Sequence, residues 1–301
     1  MKAQNNIRSS LTSGNTIGVM APSSFVEKLD IQKSKETLEA QGFKIFVHPQ
    51  TYARDRQSAG TAQEKLDALH DLYSNTNIDA IWAAGGGNRA LYLLNELNYQ
   101  LIAENPKPLI GFSDVTVLLN AIYTHTGVEN FHAQVFKSLH NFEQLDQTLD
   151  VLTGLSQSMC LERADIINHG AADGKLIGGC LSLFQSLLGS EECPDLNGAI
   201  LFLEDTGDEI SRFDRMLAHM QRLGVFEQIN GLILGEFHDL KDGRRPFGFT
   251  LLDIISELTA DKNIPVVINA PFGHGQNLTP LPVGRLSALD TATKTIDFSV
   301  K

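Results

Sequence analysis

The stretch Leu109-Ile110-Gly111-Phe112-Ser113-Asp114-Val115-Thr116 carries an apolar strand into a serine, and from there the chain reads as helix. A serine on such a turn is a candidate nucleophile, because the turn lifts its side chain above the sheet edge. The oxygen then lies near the free N–H groups of a helix N-terminus, where an oxyanion could be stabilised. Pro106 and Pro108 precede the strand, Gly111 loosens the backbone, and an amphipathic run from Val115 to His125 closes at Gly127. The competing job for Ser113 is to cap that helix, the commonest use of a serine there. A serine nucleophile also needs a base, and the base needs an orienting acid. Of the nine histidines, His274 ends a buried strand between Gly273 and Gly275, where an imidazole can be both exposed and closely approached. His132 is the second choice, while His48, His70, His169 and His238 read as surface or loop residues. Glu204 directly follows the apolar run Ile200–Leu203, so a charge is carried to the edge of a core and needs a partner. Asp205 and Asp208 are less constrained, and all three acids also fit solvated strand ends.

The glycines at Gly85-Gly86-Gly87 admit several jobs. Gly85-x-Gly87-x-x-Ala90 after a strand fits the relaxed dinucleotide fingerprint, with Glu104 about twenty residues on. Glu104, however, precedes the strand leading to Ser113, whereas a ribose-binding acid closes the next strand. Alternatively, glycines let a backbone N–H approach a centre beside Ser113, so that the loop and Asp114 each supply one oxyanion donor. A plain tight turn is the third option.

Positioning these residues requires alternating strands and helices. Strands are expected at Thr16–Ala21, Lys44–His48 and Asp79–Ala84, and helices at Lys28–Gln41, Thr61–Tyr73 and from the glycines to Leu97. Such alternation predicts a parallel sheet with helices on both faces, binding ligands at the carboxyl ends of its strands. The pattern weakens from Phe142 to Gly174. Beyond it, Gly178-Gly179-Cys180 is read as opening a helix to Leu188, with strands at Ala199–Leu203, Gly231–Gly235 and Pro265–Asn269. The helix led by Arg212-Phe213-Asp214-Arg215 runs to Leu223, and its charges also fit a solvated helix start. The expected division is residues 1–145, a connection over 146–174, and 175–301 carrying the acid and the base.

With 301 residues, 42% of them hydrophobic and 20% charged, the chain has the composition of a globular protein of about two domains. A formal net charge of −12 argues against a nucleic-acid partner. Met1–Asn15 is polar without a signal-peptide core, and no window approaches the roughly 20 apolar residues of a membrane span, so the expected location is cytoplasmic. Cys160, Cys180 and Cys193 have no metal-ligand spacing and are expected to be reduced thiols.

Together these segments resemble the LD-carboxypeptidase family of serine peptidases, which includes murein tetrapeptide carboxypeptidases and microcin C self-immunity peptidases. The likeness runs from Val19-Met20-Ala21-Pro22-Ser23 through Gly85-Gly86, Gly111-Phe112-Ser113-Asp114, Leu203-Glu204-Asp205 and Arg212-Phe213-Asp214-Arg215-Met216-Leu217. It continues through Pro271-Phe272-Gly273-His274 to Leu281-Pro282-Val283-Gly284. The resemblance implies an α/β protein with an N-terminal flavodoxin-like domain, a smaller C-terminal swivelling β/α domain, and a homodimer. It implies a triad of Ser113, Glu204 and His274, with an oxyanion hole from the amides of Asp114 and, as the favoured glycine, Gly86. Three features depart from the family pattern: Gly87 replaces a frequent aromatic, Cys180 replaces the asparagine of Gly-Gly-Asn, and Phe131-His132-Ala133-Gln134 replaces a segment often reading His-Gly-Pro. They line the expected substrate side.

The expected activity is serine carboxypeptidase action, without metal or cofactor, on the LD-bond to the terminal D-alanine of a murein tetrapeptide. A carboxylate-bearing substrate calls for a cation at the cleft, and Arg212 is the first choice with Arg89 second. Within the family the alternative is hydrolysis of a peptidyl or aminoacyl adenylate toxin, which would call for an aromatic ring to stack on the base. Outside it, the alternatives are a nucleotide-dependent oxidoreductase or an inactive binding protein.

Overall fold

A computed structural model describes residues 11–275 and 277–300, so the first ten residues of the polar Met1–Asn15 stretch lie outside it. The first part of the chain runs β1 (Thr16–Met20), α1 (Lys28–Ala40), β2 (Lys44–Val47), α2 (Ala62–Ser74) and β3 (Ala80–Ala83). It continues with α3 (Tyr99–Glu104), β4 (Leu109–Gly111), α4 (Thr116–Thr126), β5 (Asn130–His132) and α5 (Leu145–Thr153). The second part begins with β6 (Ser158–Cys160), β7 (Asp165–Asn168), β8 (Ala171–Cys180), α6 (Leu181–Gln185) and β9 (Ile200–Thr206). Then come α7 (Ile210–Arg222), α8 (Val225–Gln228), β10 (Gly231–His238), α9 (Leu251–Thr259) and β11 (Val266–Ile268). Three short strands close the chain: β12 (Leu281–Val283), β13 (Leu286–Asp290) and β14 (Thr295–Asp297). Among the described residues no helix is long and apolar enough to cross a membrane.

Two compact units result. Of the described residues, those up to 156 together with 280–284 form the first, and the rest form the second. The first is built on a six-stranded sheet in the order β12-β5-β4-β3-β1-β2. Its five leading strands are parallel, and β12 is antiparallel to β5. Side chains alternate across it. Ile17, Val19, Trp82 and Ile110 join Ile31 and Leu38 of α1 in one buried cluster, whereas Gly18 faces Leu72 of α2 and Gly111 faces Val115 at the head of α4. Helices therefore cover both faces, as expected for a buried parallel sheet.

An eight-stranded sheet, in the order β6-β14-β13-β8-β9-β10-β11-β7, forms the second unit. Its centre, β8-β9-β10-β11, is parallel, and both flanks are antiparallel. The region 146–174 is not bare connection. It holds α5 and two edge strands, β6 pairing with β14 and β7 with β11. Such short segments pair only with residues far along the chain and leave little periodicity to read. Gly178 and Gly179 do not start a helix either. They are the last glycines of β8, with φ of 141° and 139°, and the helix after them spans only Leu181–Gln185. A Cβ on Gly178 would overlap the carbonyl oxygen of Phe202 on β9, so bare backbone lets the two strands approach.

Candidate active site

In the first unit, Ser113 follows β4 and Phe112 directly, and a single 3-10 turn, Ser113–Val115, leads into α4. Ser113 has φ +62°, a left-handed conformation that costs a non-glycine residue on the order of 1–3 kcal/mol. No side chain caps either the turn or α4, so the capping role is not what Ser113 does. Gly127, with φ +74°, ends α4 by donating its N–H to Tyr123 O, the stop expected from the sequence.

The glycine loop abuts this turn. A Cβ placed on Gly86 would stand 3.1 Å from the Ser113 Cβ and 3.3 Å from its Oγ, so the loop backbone lies directly against the hydroxyl. Gly87 has φ +122°, and a Cβ there would overlap Ser24 Oγ, which accounts for the glycine at this position. The Gly86 carbonyl accepts the Ser24 N–H at 3.2 Å. After the loop the chain forms a 3-10 helix, Ala90–Glu96, instead of the expected α-helix. The dinucleotide reading thereby loses the α-helix N-terminus on which a pyrophosphate would rest.

Asp114 ties the loop to the turn. Its buried carboxylate accepts the Ala90 N–H at 2.9 Å. Burial pushes its carboxyl up, and the Ala90 N–H and the charge of Lys65 only partly oppose that rise. Lys65 itself is buried, and that burial depresses its ammonium; Asp114 opposes the shift and Arg89 adds to it. The sequence singled out only the amide of Asp114. Its carboxylate role was missed, although an acid next to a nucleophile at the head of an apolar helix is a readable signal.

In the second unit, Glu204 is wholly buried within β9 and its Oε2 pairs with His274 Nδ1 at 2.6 Å. With the Nδ1 proton directed at Glu204, Nε2 is the nitrogen left to take a proton. Burial raises the Glu204 carboxyl, opposed by the imidazole. Burial alone would lower His274, but the hydrogen bond and charge of Glu204, with Asp205, outweigh it and the net shift is upward. The loop carrying His274 is held from below. Gly273 bridges to Glu236 of β10, has φ +135°, and a Cβ on it would meet the Glu236 carbonyl oxygen at 2.5 Å. Phe272 packs edge-on against Phe202 at 5.8 Å.

The other candidates take definite places. Asp205 is buried rather than a solvated strand end, with Oδ2 accepting the Ser182 N–H at 2.7 Å and Oδ1 the Thr206 N–H at 2.8 Å. Asp208 pairs with Arg212 at 2.9 Å on the exposed start of α7, so that guanidinium is already engaged. Arg89 is exposed, in the left-handed region at φ +83°, and lies 4.3 Å over the Tyr92 ring. His132 is fully enclosed in β5, edge-on to Phe112 at 5.9 Å, which removes it as an accessible base. Cys180 ends β8 opposite Glu204; burial, then the charges of Glu204 and Asp205, push its thiol well up. All three cysteines are free thiols. Trp82 is buried in β3 and donates its indole N–H to Gln134 O at 2.7 Å.

Known proteins resemble the chain over both of its parts. The N-terminal domain of LD-carboxypeptidases matches residues 17–133, and the C-terminal domain matches residues 173–289. A putative carboxypeptidase of Synechocystis sp. is 30% identical over 96% of this chain and 95% of its own length. The microcin C7 self-immunity protein of Escherichia coli is 27% identical over 96% of this chain and 94% of that protein. Among solved structures, the muramoyltetrapeptide carboxypeptidase of Oxalobacter formigenes is similar at a TM-score of 0.85 and 26% identity, covering 94% of this chain and 97% of that one. The chain belongs to the LD-carboxypeptidase family of peptidases.

Proposed function

We propose that the protein is a serine LD-carboxypeptidase that removes the terminal D-alanine from murein tetrapeptide by a Ser113, His274 and Glu204 mechanism. His274 Nε2 takes the Ser113 proton as the oxygen attacks the carbonyl of the LD-bond, and the amides of Asp114 and Gly86 hold the resulting oxyanion. The imidazolium then protonates the departing amine of D-alanine. Water, deprotonated by the same imidazole, hydrolyses the acyl-enzyme and returns Ser113. Glu204 keeps the Nδ1–H tautomer and stabilises the imidazolium.

The observation that carries this reading is the backbone of Ser113. A serine held at φ +62° at a strand end, making no cap bond to the helix that follows and with a glycine backbone against its hydroxyl, has a costly conformation that reactivity explains. The buried Glu204–His274 pair supplies the base such a serine requires. Hydrolysis of an aminoacyl adenylate is supported by the self-immunity relative. Trp82, however, is sealed in the core and cannot stack on a base, which favours the tetrapeptide. Within the same proposal the enzyme is a cytoplasmic homodimer.

The test is mass spectrometry of murein tetrapeptide incubated with wild-type protein and with Ser113→Ala. Loss of one alanine by wild type alone is expected. An intact peptide with wild type would end the cell-wall assignment, and turnover of an aminoacyl-adenylate analogue would replace it with the second reading.

A further inference from the structure

We infer that the first unit carries an anion subsite, built on Arg56 and Arg89, that binds a carboxylate of the substrate other than the one at its cleaved end. Arg56 and Arg89 both line a cavity of about 440 Å³, together with Asp55, Gln57, Ser58 and Thr61. Among the described residues neither guanidinium takes part in an ion pair, although the whole protein carries a formal charge of −12. Both side chains are exposed, Arg89 lying over the Tyr92 ring, so each presents guanidinium N–H groups with no carboxylate partner to an anion that enters the cavity.

Their backbones reinforce this. Arg56 and Arg89 have φ of +57° and +83°, a left-handed state found also at Ser113, Asp239, Asn269 and Lys294. Arginine has no local hydrogen bond that rewards such a conformation, unlike asparagine or aspartate, and strained residues of this kind cluster at ligand sites. The nearby acids do not cancel the pair. Glu64 has its Oε2 turned onto the Thr61 N–H at 2.7 Å and hydroxyl at 2.9 Å, closing a capping box, which leaves Asp55 as the carboxylate lining the cavity. The cavity also joins the chemistry through the chain, since Arg89 immediately precedes Ala90, whose N–H is held by Asp114 beside Ser113.

The ligand class follows from a planar fork meeting a planar anion. This subsite rests on the tetrapeptide reading above, in which the peptide keeps carboxylates besides its terminal one. Bound there, such a carboxylate would orient the peptide through interactions present in both ground and transition state, so its effect falls on KM.

The experiment compares kinetics on tetrapeptide and on the same peptide with its internal carboxylates converted to amides. Wild type should prefer the acid about 10- to 100-fold in kcat/KM, the range for losing a charge-assisted bond. Arg56→Gln and Arg89→Gln should each erase most of that preference through KM, losing far more on the acid than on the amide. Equal losses on both peptides, or a wild type indifferent to amidation, would overturn the subsite. If wild type cleaves neither peptide, the proposed function fails separately, and the subsite is judged by glutarate and inorganic phosphate titrations followed by arginine side-chain NMR. Saturable glutarate shifts that vanish in the double variant support a carboxylate site; saturation by phosphate alone, or by neither, refutes it.

Discussion

The two units contribute to the proposed chemistry in contrasting ways. The first supplies a nucleophile from one unbroken stretch, Leu109–Thr116, where strand, turn and helix follow each other along the chain. The second supplies an acid and a base 70 residues apart, joined only because the end of β9 and the loop after β11 meet across a parallel sheet. The first half-site stores its function in backbone strain and close glycine packing. The second stores it in burial, since Glu204 is inside the core and its imidazole partner offsets the cost of that position.

The largest effect that sharpens this contrast is on the acid–base pair. His274→Ala should lower turnover by about 10⁴ or more, as loss of a triad base does elsewhere. Glu204→Gln should cost about 10³- to 10⁴-fold and also move the pH profile. His274 acts as a base only when neutral and its pKa is raised above the ordinary 6.5, so wild-type kcat/KM should fall, as the medium is acidified, at a pH above that value. Removing the Glu204 charge leaves burial to lower the imidazole, so the acid limb of the variant should shift to lower pH. A limb that stays in place would separate His274 from the chemistry. Stopped assays across pH check this.

A smaller effect is expected on the nucleophile side. Asp114→Ala keeps the residue's backbone amide but leaves the Ala90 N–H without its acceptor, costing about 1–3 kcal/mol of stability. If Asp114 holds the glycine loop to the turn, kcat should fall roughly 10- to 100-fold with little change in KM, the pattern of a transition-state loss. A fall in KM-linked affinity alone would instead assign Asp114 to substrate binding. The smallest effect is Gly87→Ala, where the left-handed φ and Ser24 Oγ oppose a Cβ. Thermal unfolding should show a loss of about 1–3 kcal/mol, and an unchanged midpoint would mean that the loop can move aside freely.

The same contrast explains what the chain alone made legible. The strand-to-helix turn at Ser113, the glycines beside it and the parallel order of the first sheet are local patterns, and each could be read from neighbouring residues. The pairing of Glu204 with His274 could be anticipated from an acid ending an apolar strand and a histidine between glycines, but its geometry belongs to the sheet. Local reading was misled where tertiary packing decides. Gly178-Gly179 looked like a helix start, yet they let β8 approach β9; the stretch 146–174 looked featureless because its edge strands find partners far along the chain. Asp205 and Asp208 looked alike, but one is buried on backbone N–H groups and the other serves an exposed arginine. Arg56 drew no attention because nothing in its neighbours reveals a positive φ.

The central claim, that Ser113 is a nucleophile activated by His274 and Glu204, is tested most directly by labelling with a serine-directed fluorophosphonate, followed by peptide mass spectrometry. The expected result is a single adduct on Ser113 in wild-type protein, none in Ser113→Ala, and labelling at least about 100-fold slower in His274→Ala, as the loss of a general base requires. An adduct on another residue, or equally fast labelling of Ser113 without the imidazole, would contradict it.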